Sequence, residues 1–220
     1  MAESAISLVG VERSANAVRE HVGLITDRGT ITCRFHRADE GAAAVLWVFG
    51  AGGGLGGPAG GVYTRLGARL REQGVASLEL AYRHPANLPE CVLDVLVGLA
   101  WLEREGRSRV VLVGHSFGGA VVLNAAAESS LVVAVAALSS QSAGIGDLAP
   151  LSPRPLLFVH GGDDEVLPAQ CSRRLYGRAA EPRELILYPG CRHGLDECRD
   201  QLDADLTRWI GAVLAAESVA

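Results

Sequence analysis

The stretch Val110-Val111-Leu112-Val113-Gly114-His115-Ser116-Phe117-Gly118-Gly119-Ala120-Val121-Val122-Leu123 constrains the chain more than any other. Four apolar residues, three of them β-branched, read as a buried strand, and the run from Ala120 onward reads as a helix. Ser116 stands on the turn between them, where packing has little use for a hydroxyl. Gly114 and Gly118 fit a G-x-S-x-G spacing, in which a sharp strand-to-helix turn strains the serine backbone and glycines let the chain pass without Cβ clashes. The amide of Phe117 would then open a helix, where backbone donors are unpaired and the dipole favours negative charge. The five-letter pattern arises by chance in glycine-rich chains, and this one has 27 glycines. Its position between a strand and a helix is what gives it weight.

From Ala43 the pattern alternates. Strands are expected at 44–49, 76–82, 109–113, 132–138, 156–160 and 184–188, and helices at 62–73, 89–104, 118–129, 169–178 and 197–216. Before it, β-type segments around 6–11, 22–26 and 30–35, with Asp27-Arg28-Gly29 as a hairpin turn, suggest an antiparallel edge. Alternation of this kind predicts an α/β fold, a mostly parallel sheet with helices on both faces, and 220 residues suit one such domain spanning 1–220.

Charge narrows the partners. The net charge is −5, and lysine is absent, so all 20 cationic side chains are arginine. No basic field for nucleic acid or an anionic membrane is expected. No apolar run approaches the roughly 20 residues needed to cross a bilayer, and the first ten residues lack the parts of a signal peptide. The expected location is the cytoplasm. Cys33, Cys91, Cys171, Cys191 and Cys198 are odd in number and scattered, so free thiols are expected. Cys191-x-His193 with Cys198 fits no common metal spacing, and no metal or cofactor is expected.

In a parallel sheet ligands bind beyond the carboxyl ends of the strands, so the loops there carry the candidate residues. Phe49 to Gly61 is glycine-dominated but lacks the residues of a phosphate loop; it suits a backbone that approaches a reacting oxygen, with Ala51 as the best-placed donor. His160-Gly161-Gly162-Asp163-Asp164-Glu165 puts acids at one strand end, and Gly190-Cys191-Arg192-His193-Gly194 puts a histidine at the next. With Ser116 they supply, in chain order, a nucleophile, an orienting acid and a general base. At another strand end, Arg83 of Tyr82-Arg83-His84 suits either a substrate carboxylate or a structural role.

These residues resemble the α/β-hydrolase superfamily from about Gly29 to Ile210. Gly114-His115-Ser116-Phe117-Gly118-Gly119 is similar to its G-H-S-x-G-G form, His160 to Pro168 to its H-G-x-x-D-x-x-V-P segment, and Gly190 to Gly194 to its G-x-x-H-G segment. The resemblance implies Ser116, Asp164 and His193 as the catalytic residues, Asp164 rather than Asp163 as the acid, and the amides of Ala51 and Phe117 as the oxyanion hole. Phe49 stands where that family usually has histidine. Between Leu138 and Leu156 the chain is too short for a helical lid, which is similar to the small lidless group of dienelactone-hydrolase-like and carboxylesterase-like enzymes. Dienelactone hydrolases proper have a cysteine nucleophile, so Ser116 implies a broader serine esterase for small or medium acyl esters, thioesters included. A non-catalytic small-molecule receptor on the same fold, or an acyltransferase or peptidase with the same three residues, remains as an alternative.

Overall fold

The computed structural model describes residues 6–14 and 19–216. Residues 1–5, on which half of the signal-peptide reading rests, and the outer ends of the expected 1–220 span lie outside the described residues. The chain runs β1 (Leu8–Arg13), β2 (Glu20–Thr26), β3 (Gly29–His36), β4 (Ala43–Val48), α1 (Pro58–Arg71), β5 (Ala76–Ala81), α2 (Leu88–Arg104), β6 (Arg109–His115), α3 (Phe117–Ala127), β7 (Val132–Leu138), β8 (Leu156–Gly161), α4 (Gln170–Arg178), β9 (Arg183–Tyr188) and α5 (Arg199–Ala216). One sheet holds them in the order β1-β2-β3-β5-β4-β6-β7-β8-β9. β1, β2 and β3 form an antiparallel edge that joins β5 antiparallel, and every pairing from β5 through β4 to β9 is parallel. This is the α/β-hydrolase fold, with the expected parallel sheet and antiparallel edge.

The strands' side-chain alternation divides the core in two. Leu46 and Val48 of β4 and Val110 and Leu112 of β6 pack with α2 and α3. Val45, Trp47, Val111 and Val113 point the other way, against α1 and α5. Strands buried on both faces explain why the sequence there is a continuous apolar run rather than an alternating one.

The hairpin between β2 and β3 turns at Asp27-Arg28, with Thr26 paired to Gly29, whose φ of 115° closes it. The first turn of α1, before the expected helix start at Val62, is irregular. Ala59, Gly60 and Gly61 all have positive φ, so regular helix does begin at Val62, after a left-handed turn that two glycines make accessible. Residues 139–155 carry one 3-10 turn at Ala149–Leu151 and no other helix, as expected for a lidless chain. Asn124 on α3 holds this segment by donating to the Gly144 carbonyl and accepting from the Gly146 amide.

From β4 the chain crosses to β5 on one side, then returns to β6 on the other. The loops after β4 and β6 therefore part toward opposite faces, and a crevice opens between them at the carboxyl ends.

Candidate active site

Ser116 sits in that crevice with φ 56° and ψ −120°, a conformation that L-residues rarely adopt. Its amide donates to the Leu138 carbonyl of β7 at 2.8 Å, which holds the turn from the neighbouring strand. The glycines around it are required by close approach. A Cβ on Gly114 would overlap the carbonyl of Gly118, one on Gly118 the carbonyl of Phe49, and one on Gly119 the Ser140 hydroxyl. Two of those obstacles are backbone, which cannot move aside without remaking the turn.

Three side chains from three strand ends are hydrogen-bonded in line. His193 Nε2 lies 3.0 Å from Ser116 Oγ, and His193 Nδ1 lies 2.8 Å from Asp164 Oδ2. The Asp164 side chain is fully buried while that of His193 is 15% exposed, so the line runs from the interior to the crevice. Burial pushes the Asp164 carboxyl up, but hydrogen bonds from the Leu167 amide, His193 and the Val166 amide outweigh it and hold the group below the ordinary carboxylate range. Asp163 is exposed and gives its amide to the Cys191 carbonyl at 3.0 Å; Glu165 accepts from the His193 amide at 3.3 Å. Of three successive acids, only Asp164 meets the imidazole.

The loop after β4 closes the other side. A Cβ on Gly50 would sit 3.4 Å from Ser116 Cβ. Gly50 to Gly53 form a tight turn, with the Gly53 amide on the Gly50 carbonyl at 2.9 Å, and Ala51 is its first corner. Neither the Ala51 amide nor the Phe117 amide donates to another of the described residues. Phe49 stacks on His115, ring centroids 5.4 Å apart. His115 in turn donates Nε2–H to the His193 carbonyl at 2.9 Å. Burial pushes the His115 pKa down to about 4, so this ring is a neutral strut.

The chain as a whole matches a known family. The model of the dienelactone hydrolase family matches residues 62–217, most of the chain. The chain belongs to the dienelactone hydrolase family. Among solved structures, dienelactone hydrolase from Anabaena variabilis superposes with a TM-score of 0.71 at 18% identity, covering 92% of this chain and 98% of that one. The esterase domain of a Rhodothermus marinus protein gives 0.66 at 19% identity, over 94% of this chain and 98% of that one. A curated relative, the uncharacterized protein YfhR of Escherichia coli (strain K12), is 34% identical over a segment covering 39% of this chain. The match spans only 38% of that relative's length. The superposed structures share the α/β-hydrolase fold with this chain.

Within this family member, several site features were not read from sequence. Glu79 in β5 is fully buried and accepts from the Gly56 amide at 2.7 Å, Thr64 Oγ1 at 2.9 Å, His36 Nε2 at 3.1 Å and Arg34 at 3.1 Å. It thereby anchors the glycine-rich loop to the sheet. Burial raises its carboxyl, and the bonds from His36, Arg34, Gly56 and Thr64 more than reverse that. His160 Nε2 lies 3.1 Å from Asp164 Oδ2. Cys191 and Cys198, expected as free thiols, form a disulfide across the His193 loop; Cys33, Cys91 and Cys171 are free. The expectation failed because a spacing of seven is uninformative by itself, and only the turn after β9 folds the two residues together.

Arg83 is occupied within the fold. It pairs with Asp94 through Nε and with Glu90 at 2.9 Å, and its side chain is 3% exposed, so it takes the structural role of the two considered. A cavity of about 710 Å³ lies between α2, α3 and residues 144–150, lined by Leu88, Val92, Leu96, Leu123, Ile145 and Leu148 among others. Ser116, Asp164 and His193 do not border it. No helix among the described residues is long and apolar enough to cross a membrane.

Proposed function

We propose that this protein is a hydrolase, a serine esterase that cleaves carboxylic esters of small or medium acyl groups, thioesters included, through an acyl-enzyme on Ser116. The observation that carries the reading is the line Ser116 Oγ to His193 Nε2 to Asp164 Oδ2, at 3.0 and 2.8 Å, beginning at a serine with positive φ. Distances in this range let a proton pass without prior rearrangement.

Ser116 Oγ attacks the acyl carbonyl carbon as its proton passes to His193 Nε2. The carbonyl π pair becomes an oxyanion, received by the amides of Phe117 and Ala51. Asp164, ionised because its bonds favour the charged form, accepts from Nδ1–H and stabilises the imidazolium. Collapse reforms the carbonyl, breaks the bond to the leaving alkoxide or thiolate, and returns the Nε2 proton to it. A water molecule then loses a proton to His193 and attacks the acyl-enzyme carbonyl; collapse breaks the bond to Ser116 Oγ, which takes the Nε2 proton as the acid is released. The oxyanion assignment does not depend on a histidine at position 49, since the donor is a backbone amide.

The open crevice supports esters that need no interfacial opening and argues against a triglyceride lipase. Turnover of p-nitrophenyl esters of graded acyl length, with Ser116→Ala as control, tests the reading, and a fluorophosphonate probe should label Ser116. Retention of a tenth of the activity in Ser116→Ala would sink it.

A further inference from the structure

Asp164 Oδ2 meets a second imidazole. His160 Nε2 donates to the Leu167 carbonyl at 3.0 Å and stands 3.1 Å from Asp164 Oδ2, while His160 Nδ1 is 2.7 Å from Ser172 Oγ. Carbonyl and carboxylate oxygens only accept, so Nε2 carries the proton and Nδ1 accepts from the Ser172 hydroxyl. Both residues are fully buried. The location of Ser172 is informative in itself: α4 buries only Ser172 and Leu175, and a hydroxyl at one of two core positions is costly unless it is hydrogen-bonded. Its bond removes the choice of tautomer from His160. Burial also lowers the pKa of this ring, so it is a neutral donor at neutral pH.

The geometry points to His160, with its tautomer set by Ser172, as a positioning residue that holds Asp164 Oδ2 toward His193 and sets the strength of the Asp164–His193 bond. The inference rests on the proposed function for its effect on turnover. Without the His160 N–H beside it, Oδ2 could shift while Oδ1 stays on the Val166 and Leu167 amides, which lowers kcat, and would carry more unshared charge, which raises the basicity of His193. The other titratable groups around the carboxylate are His193 itself, His115 beneath it and Glu165 at the rim. Of these, His193 is hydrogen-bonded to Oδ2, and His160 is the further N–H within 3.1 Å of it.

Three variants test this: His160→Leu removes the donor, His160→Gln restores an N–H at the reach of Nε2, and Ser172→Ala releases the tautomer. His160→Leu should lower kcat roughly 10- to 100-fold, as misplacement of a catalytic group by about an ångström does. Its KM should stay within about twofold, with the acidic limb of kcat/KM moved to higher pH. His160→Gln should recover most of kcat and of the limb, and Ser172→Ala should fall between. The low-field proton resonance of His193 Nδ1–H should move in His160→Leu and Ser172→Ala.

A folded His160→Leu with wild-type kcat and limb, or a kcat lost in His160→Leu that His160→Gln fails to restore, would reduce His160 to core packing. If His160→Leu does not fold, Ser172→Ala decides, and an unchanged kcat and resonance would overturn the inference. If Ser116→Ala retains turnover, the esterase reading fails instead. The resonance then decides alone, because it reports the Asp164–His193 bond whatever the reaction.

Discussion

The amide of Ala59 donates to the carbonyl of Gly194 at 2.7 Å, so the glycine-rich loop after β4 is bonded to the residue that follows His193. The same loop touches Ser116 at Gly50 and is tied to the sheet where Glu79 accepts from the Gly56 amide. Loops from β4, β6 and β9 are thus held as one unit, with a buried carboxylate as its anchor.

Glu79→Gln should therefore cost both stability and turnover. Removing one member of a buried charged cluster leaves Arg34 without its counter-charge and typically costs about 3–5 kcal/mol. Urea unfolding should show a loss of that order, less what the remaining amide oxygen recovers. At a temperature where the variant stays folded, kcat should also fall, by roughly tenfold, because the Gly50–Gly53 turn loses its support. A variant that is destabilised yet fully active would confine Glu79 to the fold.

The proposed nucleophile and base act as one unit. Ser116→Ala and His193→Ala should each lower kcat by roughly 10⁴ to 10⁶, and the double variant by little more. Additive losses in single-turnover assays would mean that the two side chains serve different steps.

The neighbouring acids give a sharper comparison. Asp164→Asn should lose several orders of magnitude in kcat, since the amide breaks the orientation of the His193 tautomer. Asp163→Asn should lose little, because only the Asp163 backbone is engaged, through its bond to the Cys191 carbonyl. The reverse ranking would reassign the acid.

Strand and helix positions were legible because burial on both faces leaves continuous apolar runs, and because Ser116 needs a strand, a turn and a helix in immediate succession. Asp164 was separable from Asp163 only through resemblance; the structure separates them by burial and by the 2.8 Å contact. Glu79 was not legible. In Ala76-Ser77-Leu78-Glu79-Leu80 it reads as a polar residue on an alternating strand, and its partners come from β3 and the loop after β4. Arg83 carried a usable signal, since Glu90 and Asp94 lie four apart on one face of α2. His160 was read as a strand end, and nothing local to it announces Ser172 on the following helix.

Stability should rise with pH between about 4 and 6.5. Burial lowers the His115 pKa to about 4 from an ordinary 6.5, so between those values the unfolded chain binds the proton that the folded one does not. The contribution is complete above the unfolded value and is lost as pH falls toward the folded one, about 3 kcal/mol in all. His160, also lowered by burial, adds in the same sense, the raised Asp94 carboxyl opposes it, and Asp164 and Glu79, with carboxyls held below their ordinary range, add losses only at lower pH. Urea midpoints at pH 4.5 and 7 should differ in this sense. His115→Gln, whose amide can still donate to the His193 carbonyl, should make the dependence shallower, leaving the part due to His160; an equally steep dependence in that variant would assign the proton elsewhere.

The disulfide makes the last prediction one about redox state. Cys191 and Cys198 are seven residues apart and bracket His193, and the Cys191 backbone accepts from the Asp163 amide, so the bridge closes the loop that holds the base against the acid. By chain entropy a loop this short contributes about 2.5 kcal/mol. For a chain of this size that is roughly 5–10 °C in Tm. Addition of dithiothreitol, or the paired substitution Cys191→Ser with Cys198→Ser, should lower Tm by that amount. It should also lower kcat by a smaller factor than any change to Ser116, His193 or Asp164, because the bonds of His193 to Ser116 and Asp164 remain possible without the bridge. Thiol titration of the protein unfolded without reductant should count three cysteines, and after reduction five. Five thiols before reduction would mean that the two sulfurs stand unbridged, as they would in a reducing compartment, and that the hydrogen bonds of the loop alone keep His193 in place.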